Sequence, residues 1–295
     1  MITYFQAIIL GLLQGITELF PISSLGHSVV VPWILNWHSI LNSESSSESF
    51  FLAFLVALHV ATGIALLIFY RKTWWRIIKG FFSSLGARKI NSPDAHLAWL
   101  LLAATVPAGI IGLTFEHSLR TQFAKPLSAI VFLFINGCIL LIGDHYLKQT
   151  SQNRSIGLQE TTRNVSAKLT FKRAGIIGVA QIGALFAGIS RSGITMVSGL
   201  YSGLNHEDAA RFSFLLATPI IFGAGLLKLP DFFSSLDAGV RGPIIAGSIA
   251  AGLAAYGAVR FLDTYFRNKT LRPFGIYCIG FSLAMVALGL FRGHF

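Results

Sequence analysis

Gln14-Gly-Ile-Thr-Glu18-Leu-Phe-Pro21-Ile-Ser23-Ser24-Leu-Gly26-His27 lies in the middle of an apolar stretch, Ile2 to Trp37, and decides how the chain is read. A straight helix facing lipid does not carry this polar load cheaply. Pro21 interrupts any helix that reaches it. Broken helices are tolerated in a membrane where the break lines a cavity enclosed by protein. The stretch therefore reads as a re-entrant helical hairpin. A second apolar stretch, Ala174 to Leu204, is broken in the same way by Gln181, Gly188, Ser190, Arg191, Ser192, Gly193 and Thr195. An offset of 167 residues lays Gln14 on Gln181, Ile22-Ser23 on Ile189-Ser190 and Gly26 on Gly193. An offset of 160 lays Phe54-Leu55 on Phe214-Leu215 and Gly63 on Gly223. Chance likeness between Gly-rich apolar stretches is the alternative. The shared order, a broken hairpin and then a Phe- and Leu-rich span, favours an internal repeat.

Composition agrees with a membrane setting. Of 295 residues, 54% are hydrophobic and 12% charged, against about 25% charged in soluble domains. Six stretches approach or reach the length of a tilted span: Phe51–Tyr70, Leu97–Phe115, Leu127–Leu147, Phe212–Leu229, Pro243–Phe261 and Phe274–Phe291. The fold class expected is an all-α polytopic membrane protein, six transmembrane helices plus two re-entrant hairpins in an inverted-topology repeat. Cys138 and Cys278 lie in apolar runs without metal or disulfide spacing. Met1 to Thr17 lacks the basic start of a cleavable leader.

The net charge of +11 is gathered in a few loops, which argues against nucleic acid as a partner. Segments 71–96, 148–173 and 260–272 carry six, six and four basic residues. The other connections and the tail carry only Arg120, Lys125, Arg241 and Arg292. Positive loops face the cytoplasm. The alternation closes only if each hairpin returns to its own side, the first opening outward and the second inward. Residues 1–147 form the first repeat, 148–170 a cytoplasmic linker and 171–295 the second repeat. Both termini fall outside, and Asn42–Ser49 is an outer loop.

The two breaks hold the chemistry. Gln14 and Glu18, four apart, share a helix face. An intramembrane carboxylate is a functional candidate by default, with pairing inside the bundle as the plainer reading. Arg191, flanked by Ser190 and Ser192, offers a planar fork suited to phosphate oxygens. Ser23, Ser190, Ser192 and Thr195 can add hydroxyls, and helix N-terminal amides can add more. Alternatively Arg191 pairs with Glu18 across the repeat interface; the two readings are compatible. His27 is a candidate acid or base, and His59 an outer partner of the site or a packed core residue. Asp144, His145, His96 and His117 read as solvated near the interfaces. No Walker-type phosphate loop or paired-histidine zinc helix is present in the sequence.

The first break resembles a signature of the bacterial undecaprenyl-diphosphate phosphatase, or bacitracin-resistance, family: an acidic residue or glutamine, three residues, glutamate, then Pro-x-Ser-Ser-x-Gly-His. Gly188-Ile-Ser-Arg-Ser-Gly-Ile-Thr195 resembles its second signature, Pro-Gly-x-Ser-Arg-Ser-x-x-Thr, and Ala210-Arg-Phe-Ser-Phe-Leu-Leu-Ala217 is also similar to the family. The resemblance runs from end to end. It implies hydrolysis of the polyprenyl carrier diphosphate to the monophosphate, recycling the lipid for peptidoglycan and other envelope glycans. It implies six spans with two hairpins, a homodimer, a bacterial plasma membrane location and a site opening outward. It also implies dependence on a divalent cation, Mg2+ or Ca2+, held by Glu18 and Gln14. The site carried over is Gln14, Glu18, Ser24, His27, Ser190, Arg191, Ser192 and Thr195. Gln14 stands where many members have glutamate, which weakens schemes needing two carboxylates on a metal. Ala187 replaces the usual proline before Gly188.

The reaction expected is phosphoryl transfer, with Ser24 as nucleophile, His27 as general base or acid, and Arg191 neutralising the phosphoryl oxygens. Direct attack by water activated by His27 or Glu18 is the alternative mechanism. A secondary transporter or flippase for a phosphorylated lipid or small anion is the alternative function. The loop charges generate a topology test: tags near Gly86 and Asn164 should be cytoplasmic and one near Ser46 external. Labelling of Ser46→Cys only from the cytoplasmic side would break the inverted arrangement.

Overall fold

In the computed structural model, which describes residues 2–37, 50–115, 125–154, 168–227 and 238–292, the chain is all-helical among those residues. The loop 42–49 and most of the linker lie outside them. Helix α1 (Tyr4–Thr17) starts in a capping box, in which Thr3 and Gln6 satisfy each other's backbone amides. Helix α2 (Ser24–Ile34) follows the first break. Helices α3 (Phe50–Phe69), α4 (Arg71–Ala87), α5 (Pro93–Thr114) and α6 (Pro126–Arg154) complete the first half. In the second half, α7 (Phe171–Ala180) runs into a 3-10 turn over Gln181–Leu185, and α8 (Arg191–Tyr201) follows the second break. Helices α9 (His206–Leu227), α10 (Ala238–Tyr265) and α11 (Arg272–Phe291) end the chain.

Among the described residues five helices are long and apolar enough to cross a membrane: α5, α6, α9, α10 and α11. A sixth is reached only if α3 and α4, which meet at 86° at Tyr70, are counted together. By contrast α1, α2, α7 and α8 have 14, 11, 10 and 11 residues. At 1.5 Å per residue they reach about 15–21 Å, short of the ~30 Å hydrocarbon core. They end inside the bundle, where protein must satisfy their free backbone groups.

The structure departs from the sequence reading in three places. Residues 71–87, taken as part of a loop, form a helix. The span placed at Leu127–Leu147 runs on to Arg154, so the start of the expected linker is helical. Asp144, expected in solvent, is buried; it accepts from the Leu271 amide at 3.2 Å and meets His206 at 3.1 Å.

The halves interlock. Helix α1 packs along α10, and α7 packs along α5, so each half's first helix docks on a later span of the other half. The contact points are Gly11, whose missing Cβ leaves room for the Gly247 backbone, and Gly178, which does the same for Ala104. These glycines stand 167 residues apart, the offset that aligns the two breaks. A side chain at Gly178 meets the Ala104 α-carbon at 2.8 Å, whereas Gly175 has nothing within 4 Å. Gly178→Val should therefore lower stability by about 1–3 kcal/mol through overpacking, read as a fall in Tm in detergent, while Gly175→Val should change it little.

Candidate active site

Both breaks are built around a serine N-cap. Ser23 sits at φ +71, uncommon for a residue with a side chain, and its hydroxyl accepts from the Gly26 amide at 3.2 Å. Ser190 caps α8 by accepting from the Gly193 amide at 3.1 Å. Gly188, at φ +108, lets the second break turn against the first. There its amide donates to Ser23 Oγ at 3.2 Å. The Ser192 hydroxyl donates to the Phe20 carbonyl at 3.1 Å. Asn136, reaching in from α6, donates to the Pro21 carbonyl at 3.0 Å and accepts from the Ser190 amide at 2.9 Å. Two irregular backbones, costly to bury alone, thus satisfy each other.

Glu18 is the hub of the cluster. One carboxylate oxygen accepts from Arg191 Nη2 at 2.9 Å. The other accepts from the Ser24 hydroxyl at 2.5 Å and from Gln14 Nε2 at 3.1 Å, and it lies 3.3 Å from His59 Nε2. His59 Nδ1 donates to the Leu55 carbonyl at 2.7 Å, which turns Nε2 toward Glu18. Ser24 and Arg191 are the first helical residues of α2 and α8. Two helix N-termini, with their free amides and partial positive charge, therefore converge beside the carboxylate. Arg191 also reaches the Ser213 carbonyl through Nη1 at 3.4 Å.

Of the residues singled out in the sequence, Gln14, Ser24, His59 and Arg191 each meet Glu18. His27 is not part of that contact set. Its Nδ1 donates to the Ser23 carbonyl at 2.7 Å, and its Nε2 accepts from the Tyr277 hydroxyl at 2.9 Å. Its ring stacks on Tyr277 and Phe281 of α11. The expected Ser24–His27 pairing is thus replaced by Ser24–Glu18. Ser23, Ser190 and Ser192 hold the breaks together, Ser190 and Ser192 meeting at 3.0 Å. Thr195 donates back to the Arg191 carbonyl at 2.8 Å and meets the Ser213 hydroxyl at 2.7 Å.

Three residues escaped the sequence reading: Asn136, Ser213 and Tyr277. A lone amide inside the apolar span Leu127–Leu147 was a usable signal for Asn136, and Ser213 lies in the stretch Ala210–Ala217 that resembles the family; nothing local pointed to Tyr277. Among the described residues no group of three His, Cys, Asp or Glu side chains could hold a metal. Gln14 Oε1 is buried without a hydrogen-bond partner, which leaves one hard oxygen open beside Glu18. Removing the bridge in Asn136→Ala strands a buried carbonyl and a buried amide. The cost should be about 1–3 kcal/mol, measured as a lower Tm, and Asn136→Asp, which keeps the acceptor for Ser190, should fall between.

The family model described as bacitracin resistance protein BacA matches residues 7–284. A protein of Mycolicibacterium paratuberculosis named undecaprenyl-diphosphatase is 48% identical, covering 97% of this chain and 98% of its own. One of Frankia alni, named undecaprenyl-diphosphatase 2, is 46% identical over 94% of this chain and 95% of its own. One of Burkholderia ambifaria with the same name is 43% identical over 97% and 96%.

Proposed function

The chain belongs to the bacitracin resistance protein BacA family, and we propose that it hydrolyses undecaprenyl diphosphate to the monophosphate, returning the lipid carrier to envelope glycan synthesis. The observation that carries this reading is the short bond from Ser24 to Glu18, made beside Arg191 where two helix N-termini meet. That arrangement offers a nucleophile, a proton acceptor and donors for phosphoryl oxygens in one place.

In this mechanism the terminal phosphate lies against the N-termini of α2 and α8, with free guanidinium N–H groups of Arg191 on its oxygens. Ser24 Oγ attacks the terminal phosphorus and gives its proton to Glu18. The bond from that phosphorus to the bridging oxygen breaks, and undecaprenyl monophosphate leaves with the electron pair. The leaving monophosphate takes the proton from Glu18, which, a carboxylate again, deprotonates water. That water attacks phospho-Ser24, whose P–O bond breaks to release phosphate, and the proton returns from Glu18 to Ser24 Oγ. His59 and Gln14 hold the Glu18 carboxylate in line. His27, through the Ser23 carbonyl, holds the backbone that aims Ser24. A divalent cation, Mg2+ or Ca2+, fits best as an ion carried in with the diphosphate. Gln14 Oε1 and Glu18 are the ligands this chain offers it, and the ion would neutralise phosphate oxygens.

The finer placement is part of the same proposal. The breaks belong to an inverted-topology repeat, supported by the paired Ser23/Ser190 caps and the paired Gly11/Gly178 contacts. The chain sits in a bacterial plasma membrane as a homodimer, with its site open to the outside, as the loop charges favour.

Phosphate release from detergent-solubilised protein given undecaprenyl diphosphate tests the function. Arg191→Ala should lose about 100-fold or more, the scale of a lost transition-state donor. Arg191→Lys, which keeps the charge without the fork, should also lose most turnover. His59→Gln, whose amide can still donate to Glu18, should retain more activity than His59→Ala. Wild-type turnover in Ser24→Ala would move the attack to water. No release from folded protein across several divalent ions would point to a transporter.

A further inference from the structure

Helix α4 breaks from α3 at nearly a right angle and so lies across the end of the bundle. It has three faces. Ile77 and Ser84 are buried against the protein. Trp75, Ile78, Phe82 and Leu85, spaced for one helical face, are exposed, Trp75 and Phe82 by 60% and 65%. Lys72, Arg76 and Lys79 run along the flank between, with the Lys79 ammonium 4.9 Å above the Trp75 ring. An apolar stripe beside a basic flank is the pattern of a helix lying in the headgroup layer.

At the C-terminal end of α4 the chain turns at Arg88, φ +49. A cavity of about 440 Å³ opens there between α4, α5 and the start of α7. Its apolar wall is Leu85, Ile90, Trp99 and Phe171, and its cations are Arg88 and Lys89. Trp99 is fixed by donating to Ser84 Oγ at 3.0 Å. Neither Arg88 nor Lys89 makes an ion pair among the described residues. From Arg71 to Lys89 there are six basic side chains and no acidic one.

We propose that this cavity binds the headgroup of an anionic phospholipid, with Arg88 and Lys89 on the phosphate and the glycerol and upper acyl chain against Trp99 and Phe171. Charge complementarity selects the occupant: two unpaired cations need an anion, and the apolar wall is continuous with the stripe of α4 that faces the bilayer. Basic pockets between membrane helices take anionic headgroups in this manner. The inference is independent of the hydrolytic reading.

The test uses purified full-length protein in neutral detergent, titrated with phosphatidylglycerol or with phosphatidylcholine of the same acyl chains. Native mass spectrometry counts retained lipid and thermal unfolding gives Tm. Phosphatidylglycerol should be retained at one molecule per chain and raise Tm; phosphatidylcholine should do neither. The double variant Arg88→Gln/Lys89→Gln, changed at exposed side chains, should keep its lipid-free Tm and bind phosphatidylglycerol about 30-fold more weakly, roughly fivefold per cation. Lys269→Gln, another exposed basic site, should bind like the wild type. Equal retention of the two lipids, unchanged binding in the double variant, or an equal loss in Lys269→Gln would overturn the site.

Discussion

Glu18 and Arg191 meet at 2.9 Å at the ends of broken helices too short to cross a bilayer. Neither charge is tolerable there alone. Removing one partner of such a buried pair typically costs about 3–5 kcal/mol, because the other charge is left uncompensated. The pair also joins the first break to the second, so it can form only when both are in place. Gln14, Ser24 and His59 then fill the remaining acceptor positions of the carboxylate. A polar cluster in which nearly every member is satisfied by protein can be rigid without water to complete it.

The two layers of the site divide the work. Backbone-to-hydroxyl bonds through Ser23, Ser190 and Ser192, with the Asn136 amide, fix where the breaks lie. The charged layer of Glu18, Arg191 and Ser24 rests on that frame. Hydroxyls near the reacting position are therefore of two kinds, and their residue type does not tell them apart. Ser24 donates a hydrogen bond to a carboxylate, whereas its neighbour Ser23 accepts from two backbone amides.

Much of this was legible in the sequence because burial in a membrane makes polar residues conspicuous. The two hairpins announced themselves through Pro21, Gly188 and the polar load around them, and the spans through their length. What stayed hidden depends on direction rather than on type. His27 lies three residues after Ser24, close enough on a helix for contact. Its ring turns instead to the Ser23 carbonyl and to Tyr277, a partner 250 positions away. His59 was open to two readings until α3 placed it 3.3 Å from Glu18. Helix α4 was hidden for another reason: its density of basic residues resembles a loop, and its apolar positions emerge only when counted around a helix.

The close fit of Gly11 against Gly247 fixes an order of events during synthesis. Helix α1 is made 236 residues before the Gly247 backbone it rests on. At 5–20 residues per second the interval is ~10–50 s. Until Arg191 is made, 173 residues after Glu18, this 14-residue helix, unable to span the bilayer, ends in a carboxylate without its arginine and a half-satisfied break. The final seating of α1 therefore cannot precede the synthesis of α10.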